Sequence, residues 1–146
     1  MLMSTSSSHR GAKARLKSPK LGSTDPKCFK FYFNKYSYLA DTYHASTLNV
    51  YVGNATRPVF SDTGFHHLRT WIHTRIDVSG YPDAKIIIEG VVGRKAFADI
   101  AIDDVSLTEG PCPVCSDTDF RCSDWKLICR GYESIRRVCK KTCGLC

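Results

Sequence analysis

The sequence predicts a mainly β protein in two parts: an antiparallel β-sandwich over residues 1–112 and a small disulfide-rich module over residues 113–146. Three observations predict it. Apolar residues recur with period two between Cys28 and Cys112, the alternation of half-buried strands. Turn residues cut that region at short intervals, the rhythm of a sandwich. The cysteines are unevenly placed: Cys28 and Cys112 stand alone, and the other six fall at 115, 122, 129, 139, 143 and 146.

The elements follow in order. In CFKFYFN (28–34), Phe29, Phe31 and Phe33 share one face, with Lys30, Tyr32 and Asn34 on the other. In TLNVYVGN (47–54), Leu48, Val50 and Val52 alternate with Asn49 and Tyr51. In RTWIHTRIDV (69–78), Ile72, Thr74, Ile76 and Val78 alternate with Trp71, His73, Arg75 and Asp77. AKIIIEGVVG (84–93) and ADIAIDDVSL (98–107) are rich in Ile and Val. Turns are expected at Gly53-Asn54, Asp62-Thr63-Gly64, Ser79–Asp83 and Gly93-Arg94. No 15-residue stretch sustains a helical period. The Gly110-Pro111-Cys112-Pro113 step marks the boundary between the two parts.

Net charge is +7 over 146 residues, but it is uneven. Residues 1–35 hold eight Lys/Arg and one Asp, residues 36–112 six basic and nine acidic, and residues 113–146 seven basic and four acidic. The basic residues lie scattered along strand-like sequence without a nucleic-acid motif, so nucleic acid is not the expected partner. No apolar run approaches the roughly 18 residues of a transmembrane helix. Eight cysteines point to an oxidising, extracellular compartment. Asn54-Ala55-Thr56 is a glycan acceptor triplet in a turn context. The opening MLMSTSSSHRGAKARLK lacks the apolar core of a signal peptide. A fragment of a longer secreted or surface protein is the expectation that reconciles these features.

ARLKSPKL (14–21), CFKFYFNKY (28–36), TLNVYV (47–52), IIIEGVVG (86–93) and ADIAIDDVSLTEGPC (98–112) together resemble the MAM domain. That extracellular module is named after meprin, the A5 antigen and receptor phosphatase mu. The resemblance implies a jelly-roll-like sandwich in which Cys28 pairs with Cys112. It also implies first strands and two further cysteines that this sequence does not contain, so the sandwich is expected to be incomplete. An incomplete sandwich exposes strand edges and core, and the isolated chain is expected to be poorly stable or aggregation-prone. A cooperative, high-temperature melt would contradict that.

Within the same motif, Asp99, Asp103 and Asp104 interrupt an apolar strand. Carboxylates from several segments suit Ca²⁺, and a calcium site in the complete domain is one reading. The other is that they cap turns or pair with a cation such as Arg94. No other cofactor is expected.

The tail has intervals C-x6-C-x6-C-x9-C-x3-C-x2-C and no histidine. Zinc clusters come in fours, and a redox C-x-x-C belongs at the start of a helix rather than at a terminus. So few aliphatic residues cannot form a core, and three disulfides would replace it. Fifteen pairings are open by sequence alone. The final C-x3-C-x2-C, the Lys-Thr-Cys-Gly and the Asp two residues after the first Cys resemble the ShK toxin-like (ShKT) domain. The resemblance implies a small, short-helical fold with Cys115–Cys146, Cys122–Cys139 and Cys129–Cys143 pairs and a structural salt bridge from Asp117 to Lys141. Founding members of that family block potassium channels with a Lys-Tyr step, and the matching positions here hold Glu133 and Ser134. Arg130, Arg136, Arg137 and Tyr132 supply charge and an aromatic ring but no such step.

No HExxH, GxSxG or phosphate-cradling glycine loop is present, and His66-His67 and His73 read as surface or strand-face residues. The chain is therefore read as non-catalytic, recognising extracellular or cell-surface proteins. The alternatives are a toxin-like protein acting on a potassium channel and the non-catalytic C-terminal region of an astacin-type secreted metalloprotease, since both modules accompany such enzymes.

Overall fold

The computed structural model describes residues 2–3, 9–37, 46–63, 71–78, 83–93, 98–129 and 131–143. Among them lie eight strands: β1 (Leu2–Met3), β2 (Lys13–Lys20), β3 (Lys27–Ser37), β4 (Thr47–Val52), β5 (Phe60–Asp62), β6 (Ile72–Asp77), β7 (Lys85–Val91) and β8 (Ala98–Glu109). They form two four-stranded antiparallel sheets. Sheet A has the order β1-β8-β3-β6 and sheet B the order β2-β7-β4-β5, which is the jelly-roll order. Two compact units divide the chain, Met1–Cys112 and Pro113–Cys146.

Strand β3 carries the core of the first unit. Phe29, Phe31 and Phe33 are buried together in a row of mutually tilted rings, with centroids 5.4 and 6.1 Å apart. Phe60 of sheet B meets Phe31 and Phe33 edge-on at 6.0 and 5.9 Å, a favoured aromatic geometry. Leu48, Val50 and Val52 of β4, Ile86 and Ile88 of β7, Ile76 of β6, and Ile100 and Ile102 of β8 complete the cluster. The same face of β3 ends at each side in a lysine. Lys27 and Lys35 are both buried, Lys27 paired with Glu109 and Lys35 with the carboxylate and carbonyl of Asp62 at 2.6 and 2.8 Å. Burial pushes the Lys35 pKa down, and Asp62 offsets part of that. Because Asp62 lies on β5, this pair also ties sheet A to sheet B.

Strand β8 contains a bulge. Tyr32 is registered with Asp103 and Lys30 with Ser106, so β8 has one more residue than β3 over this interval. Asp104 adopts φ 49°, and its N–H donates to the Asp103 carboxylate at 3.0 Å. Asp is among the few residues that tolerate this conformation. The extra residue changes the phase of the strand. Ile100 and Ile102 face the core before it, and Leu107, registered with Phe29, faces inward after it. At the β4 turn, Gly53 has φ 64°, and a Cβ there would meet that of Ala84 at 3.3 Å.

Cys28 and Cys112 are disulfide-bonded. The bridge closes the sandwich where β3 begins and β8 ends, beside an Asp77 carboxylate that accepts from the Cys112 N–H at 2.6 Å. The second unit contains two 3-10 turns, Phe120–Ser123 and Lys126–Ile128, and the helix α1 (Glu133–Val138). Cys122 is bonded to Cys139 and Cys129 to Cys143. Cys115 is disulfide-bonded as well, and the Cys146 expected to meet it lies outside the described residues. Phe120 and Leu127 are 93% and 94% exposed. In this unit cross-links take the place of a core.

Replacing both Cys28 and Cys112 by Ala opens a loop of 84 residues. Chain entropy then predicts a loss of about 4 kcal/mol. Urea denaturation of the variant against the parent measures it, and a loss below about 1 kcal/mol would show that strand pairing alone closes the sandwich.

Candidate recognition surface

Because Phe29, Phe31 and Phe33 point inward, Lys30, Tyr32 and Asn34 stand on the outer face of sheet A. Register places His73 beside Tyr32 and Arg75 beside Lys30 across β6, and Asp103 beside Tyr32 across β8. The Tyr32 and His73 rings stack at 4.6 Å with an interplanar angle of 17°. His73 Nδ1 is buried and without a hydrogen-bond partner. Burial lowers the His73 pKa, and the charges of Arg75 and Lys30 lower it further, so the ring is neutral at pH 7. Trp71, at the start of β6, is half-exposed. Two aromatic side chains and a neutral imidazole flanked by Lys and Arg form a face of the composition enriched at protein interfaces.

The outer face of sheet B is different. Arg15, Glu89, Asn49 and Ser61 occupy one row across its four strands. The Glu89 side chain is 1% exposed despite its outward position. Its carboxylate accepts from Arg15 Nε at 2.6 Å, Tyr51 OH at 3.2 Å and Asn49 Nδ2 at 3.5 Å, with Lys13 Nζ 3.5 Å away. Ser61 donates to Asn49 Oδ1 at 2.8 Å. Burial pushes the Glu89 pKa up, but the Arg15 and Asn49 hydrogen bonds and the Lys13 and Arg15 charges outweigh it, and the net value lies below the usual 4.5. Tyr51 is raised, by burial first and then by the Glu89 charge. This row fastens β2 and β4 to β7.

The other expected site residues fall as follows. Asp103 and Asp104 are exposed, Asp103 opposite Tyr32 and Asp104 in the bulge that follows it, and Asp99 is registered with Tyr36. Among the described residues, no three His, Cys, Asp or Glu side chains gather closely enough to hold a metal. The positive φ of Asp104 and its N–H bond to the Asp103 carboxylate belong to the bulge. Asn54 is exposed in the turn after β4, with Ala55 and Thr56 exposed beside it. The ion pair expected between Asp117 and Lys141 is not among those of the described residues. Asp117 instead accepts from the Thr142 N–H at 3.0 Å and the Thr142 hydroxyl at 2.6 Å. Those bonds lower its pKa, with Lys141 contributing a backbone bond and its charge. Thr142 is one residue further on and brings two donors to one carboxylate. Asp119 caps the first 3-10 turn, and its Arg121 bonds hold its pKa at about 2. Arg121 in turn lies over the Trp125 ring at 4.5 Å. Glu133 and Ser134 begin α1, while His66, His67, Arg94 and Arg130 lie outside the described residues.

The Glu89 row and the Tyr32–His73 stack are absent from the expectations. A single acidic residue inside IIIEGVV is the one signal that could have pointed to the first, since Arg15 lies 74 positions away. The second depends on the β3–β6 register.

The first unit is thus a jelly roll closed by a disulfide, with aromatic and charged groups on its outer faces. The chain belongs to the MAM domain family, meprin/A5/mu, whose family model matches residues 1–113. It is 35% identical over 117 residues to the MAM domain-containing glycosylphosphatidylinositol anchor protein 2 of Mus musculus, covering 70% of this chain and 12% of that protein. The MAM and fibronectin type III domain-containing protein 1 of Acropora millepora is 38% identical over 88 residues, covering 60% of this chain and 18% of that protein. Thyroid hormone-induced protein B of Xenopus laevis is 33% identical over 113 residues, covering 73% and 16%. The match thus spans a small part of each relative.

Glu89→Gln removes the charge that Arg15 and Lys13 surround and is expected to destabilise the first unit by about 1–3 kcal/mol at pH 7. A depressed carboxylate pKa gives stability that is complete above the unfolded value and is lost as pH falls through the folded one. The gap between parent and variant should therefore close below about pH 4.5. Denaturant midpoints at several pH values measure this, and a pH-independent gap would contradict it.

Proposed function

We infer that the chain is a non-catalytic extracellular recognition module, binding another protein through the outer face of sheet A. The observation that carries this reading is the Tyr32–His73 stack with half-exposed Trp71 beside it, flanked by Lys30 and Arg75. Large rigid rings give up little conformational entropy on binding, and surrounding charges set orientation. The extracellular setting is supported by the disulfides and by one relative's name, a MAM domain-containing glycosylphosphatidylinositol anchor protein. In that setting Asn54 is the position for a glycan, exposed in the turn after β4.

The second unit is read as a ShKT-type companion. The observed Cys122–Cys139 and Cys129–Cys143 bridges, a third bonded cysteine and the short α1 support that assignment. Glu133 and Ser134 at the head of α1 favour an accessory role over channel block. Mass mapping of the disulfides tests the assignment: a Cys115–Cys146 bond is expected, and any other partner for Cys115 would refute it.

The full chain carrying Trp71→Ala and Tyr32→Ala should bind cultured cells of the source tissue at least tenfold more weakly than the parent, with unchanged far-ultraviolet circular dichroism. Equal binding, or an equal loss from Lys85→Ala on sheet B, would sink the reading.

A further inference from the structure

The second unit holds apolar side chains out in solvent on a cross-linked frame. Phe120 opens the first 3-10 turn and Leu127 is the middle residue of the second, and both are almost fully exposed. Ile128 and Tyr132 are exposed as well. The backbone beneath them is held by buried cysteines. Cys122, inside the first turn, is bridged to Cys139, and Cys129, directly after the second, is bridged to Cys143. Asp119 caps the first turn and holds Arg121, whose guanidinium lies 5.6 Å from the Phe120 ring and 4.5 Å from the Trp125 ring. The apolar groups are thus set in place before any partner arrives, and little ordering remains to be done on contact.

The charge around them is what the fold leaves over. Residues 113–146 hold seven basic and four acidic residues. All four carboxylates already accept bonds inside the unit: Asp117 from Thr142, Asp119 from Arg121, Asp124 from Ser123 and Glu133 from Arg137. Lys126, Arg136 and Lys140 make no ion pair among the described residues. Lys126 adjoins Leu127, and the two bridges tie the 122–129 segment to the 139–143 segment that carries Lys140. Exposed apolar side chains beside unneutralised cations suit a surface that is anionic on top and apolar beneath. A protein interface of the usual make-up is depleted in Lys and takes few of its hot spots from Leu. We propose that the second unit docks on an anionic phospholipid bilayer, sinking Phe120 and Leu127 below the headgroups and setting Lys126 and Lys140 against the lipid anions. This contact lies on a different unit from the sheet A face and does not rest on that reading.

The test is co-sedimentation of the 146-residue chain with protein-free vesicles, one set of phosphatidylcholine alone and one of phosphatidylcholine and phosphatidylserine in equal parts. The chain is expected to bind the second set and not the first, more weakly as NaCl rises from about 0.05 to about 0.5 M. Two double variants at exposed positions separate the two contributions. Phe120→Ser with Leu127→Ser removes the apolar contact, and Lys126→Glu with Lys140→Glu reverses the charge. Each should weaken binding at least tenfold. Mass mapping of the disulfides checks that both variants keep the parent's bridges. A parent that binds neither set, or both sets equally, overturns the proposal, as does binding that survives either double variant. If the parent ignores vesicles while the serine variant binds cultured cells less well than the parent, the patch belongs to a protein and the proposal falls. Tyr32→Ala with Trp71→Ala should leave vesicle binding as it is in the parent, and a loss there would place the contact on sheet A instead.

Discussion

The three phenylalanines on one face of β3 are the constraint on which the first unit depends. Phe29, Phe31 and Phe33 lie in a row along a central strand, and Phe60 and the β4 and β7 side chains of sheet B pack onto them. The ladder also decides what can be displayed. With alternate residues committed to the core, Lys30, Tyr32 and Asn34 have to face outward, and the β6 partners of the same row follow them. The buried Lys27 and Lys35 close the ladder at each end with ion pairs to Glu109 and Asp62, so the apolar interior gives way to charge without leaving an unpartnered ammonium.

The two units solve the same problem by different means. The first unit packs an apolar core between its two sheets, and its disulfide fastens an end. The second has the Cys122–Cys139 and Cys129–Cys143 bridges and a third bonded cysteine around little apolar matter, and Phe120 and Leu127 stay in solvent. Its local order comes from cross-links and from carboxylates bonded to backbone donors, Asp117 at Thr142 and Asp119 at Arg121. Such order demands residues at fixed spacing and little else, and for that reason the module was recognisable from its cysteines.

Much of the fold was legible because alternation is a direct imprint of the pleat. The ranges 47–52, 72–77 and 85–91 lie within the expected stretches. The three-residue β5 was not foreseen: FSD is too short to show a period, and it exists because β4 offers it an edge. The outer-face groupings were also hidden. Tyr32 and His73 are 41 positions apart in the numbering, and only register brings their rings together. Glu89 reads as an oddity in an apolar run until β2 and β4 lie beside it. Lys141, the partner that the ShKT resemblance implies for Asp117, contributes its charge, while the backbone turn delivers Thr142 with both an N–H and a hydroxyl. Sequence shows a residue's own preference, and these sites arise from the meeting of several.

The β8 bulge has a consequence for how this strand can vary. Ile100 and Ile102 are separated by two positions, Ile102 and Val105 by three, and Val105 and Leu107 by two again. The single odd interval is what keeps both halves of the strand turned the same way. Deleting one aspartate would leave Val105 two positions after Ile102, and β8 would run as a regular ladder with Val105 and Leu107 still turned inward. Straightening the strand at its present length would instead send Ser106 and Thr108 to the core. The segment therefore tolerates the loss of its extra residue better than the loss of its kink.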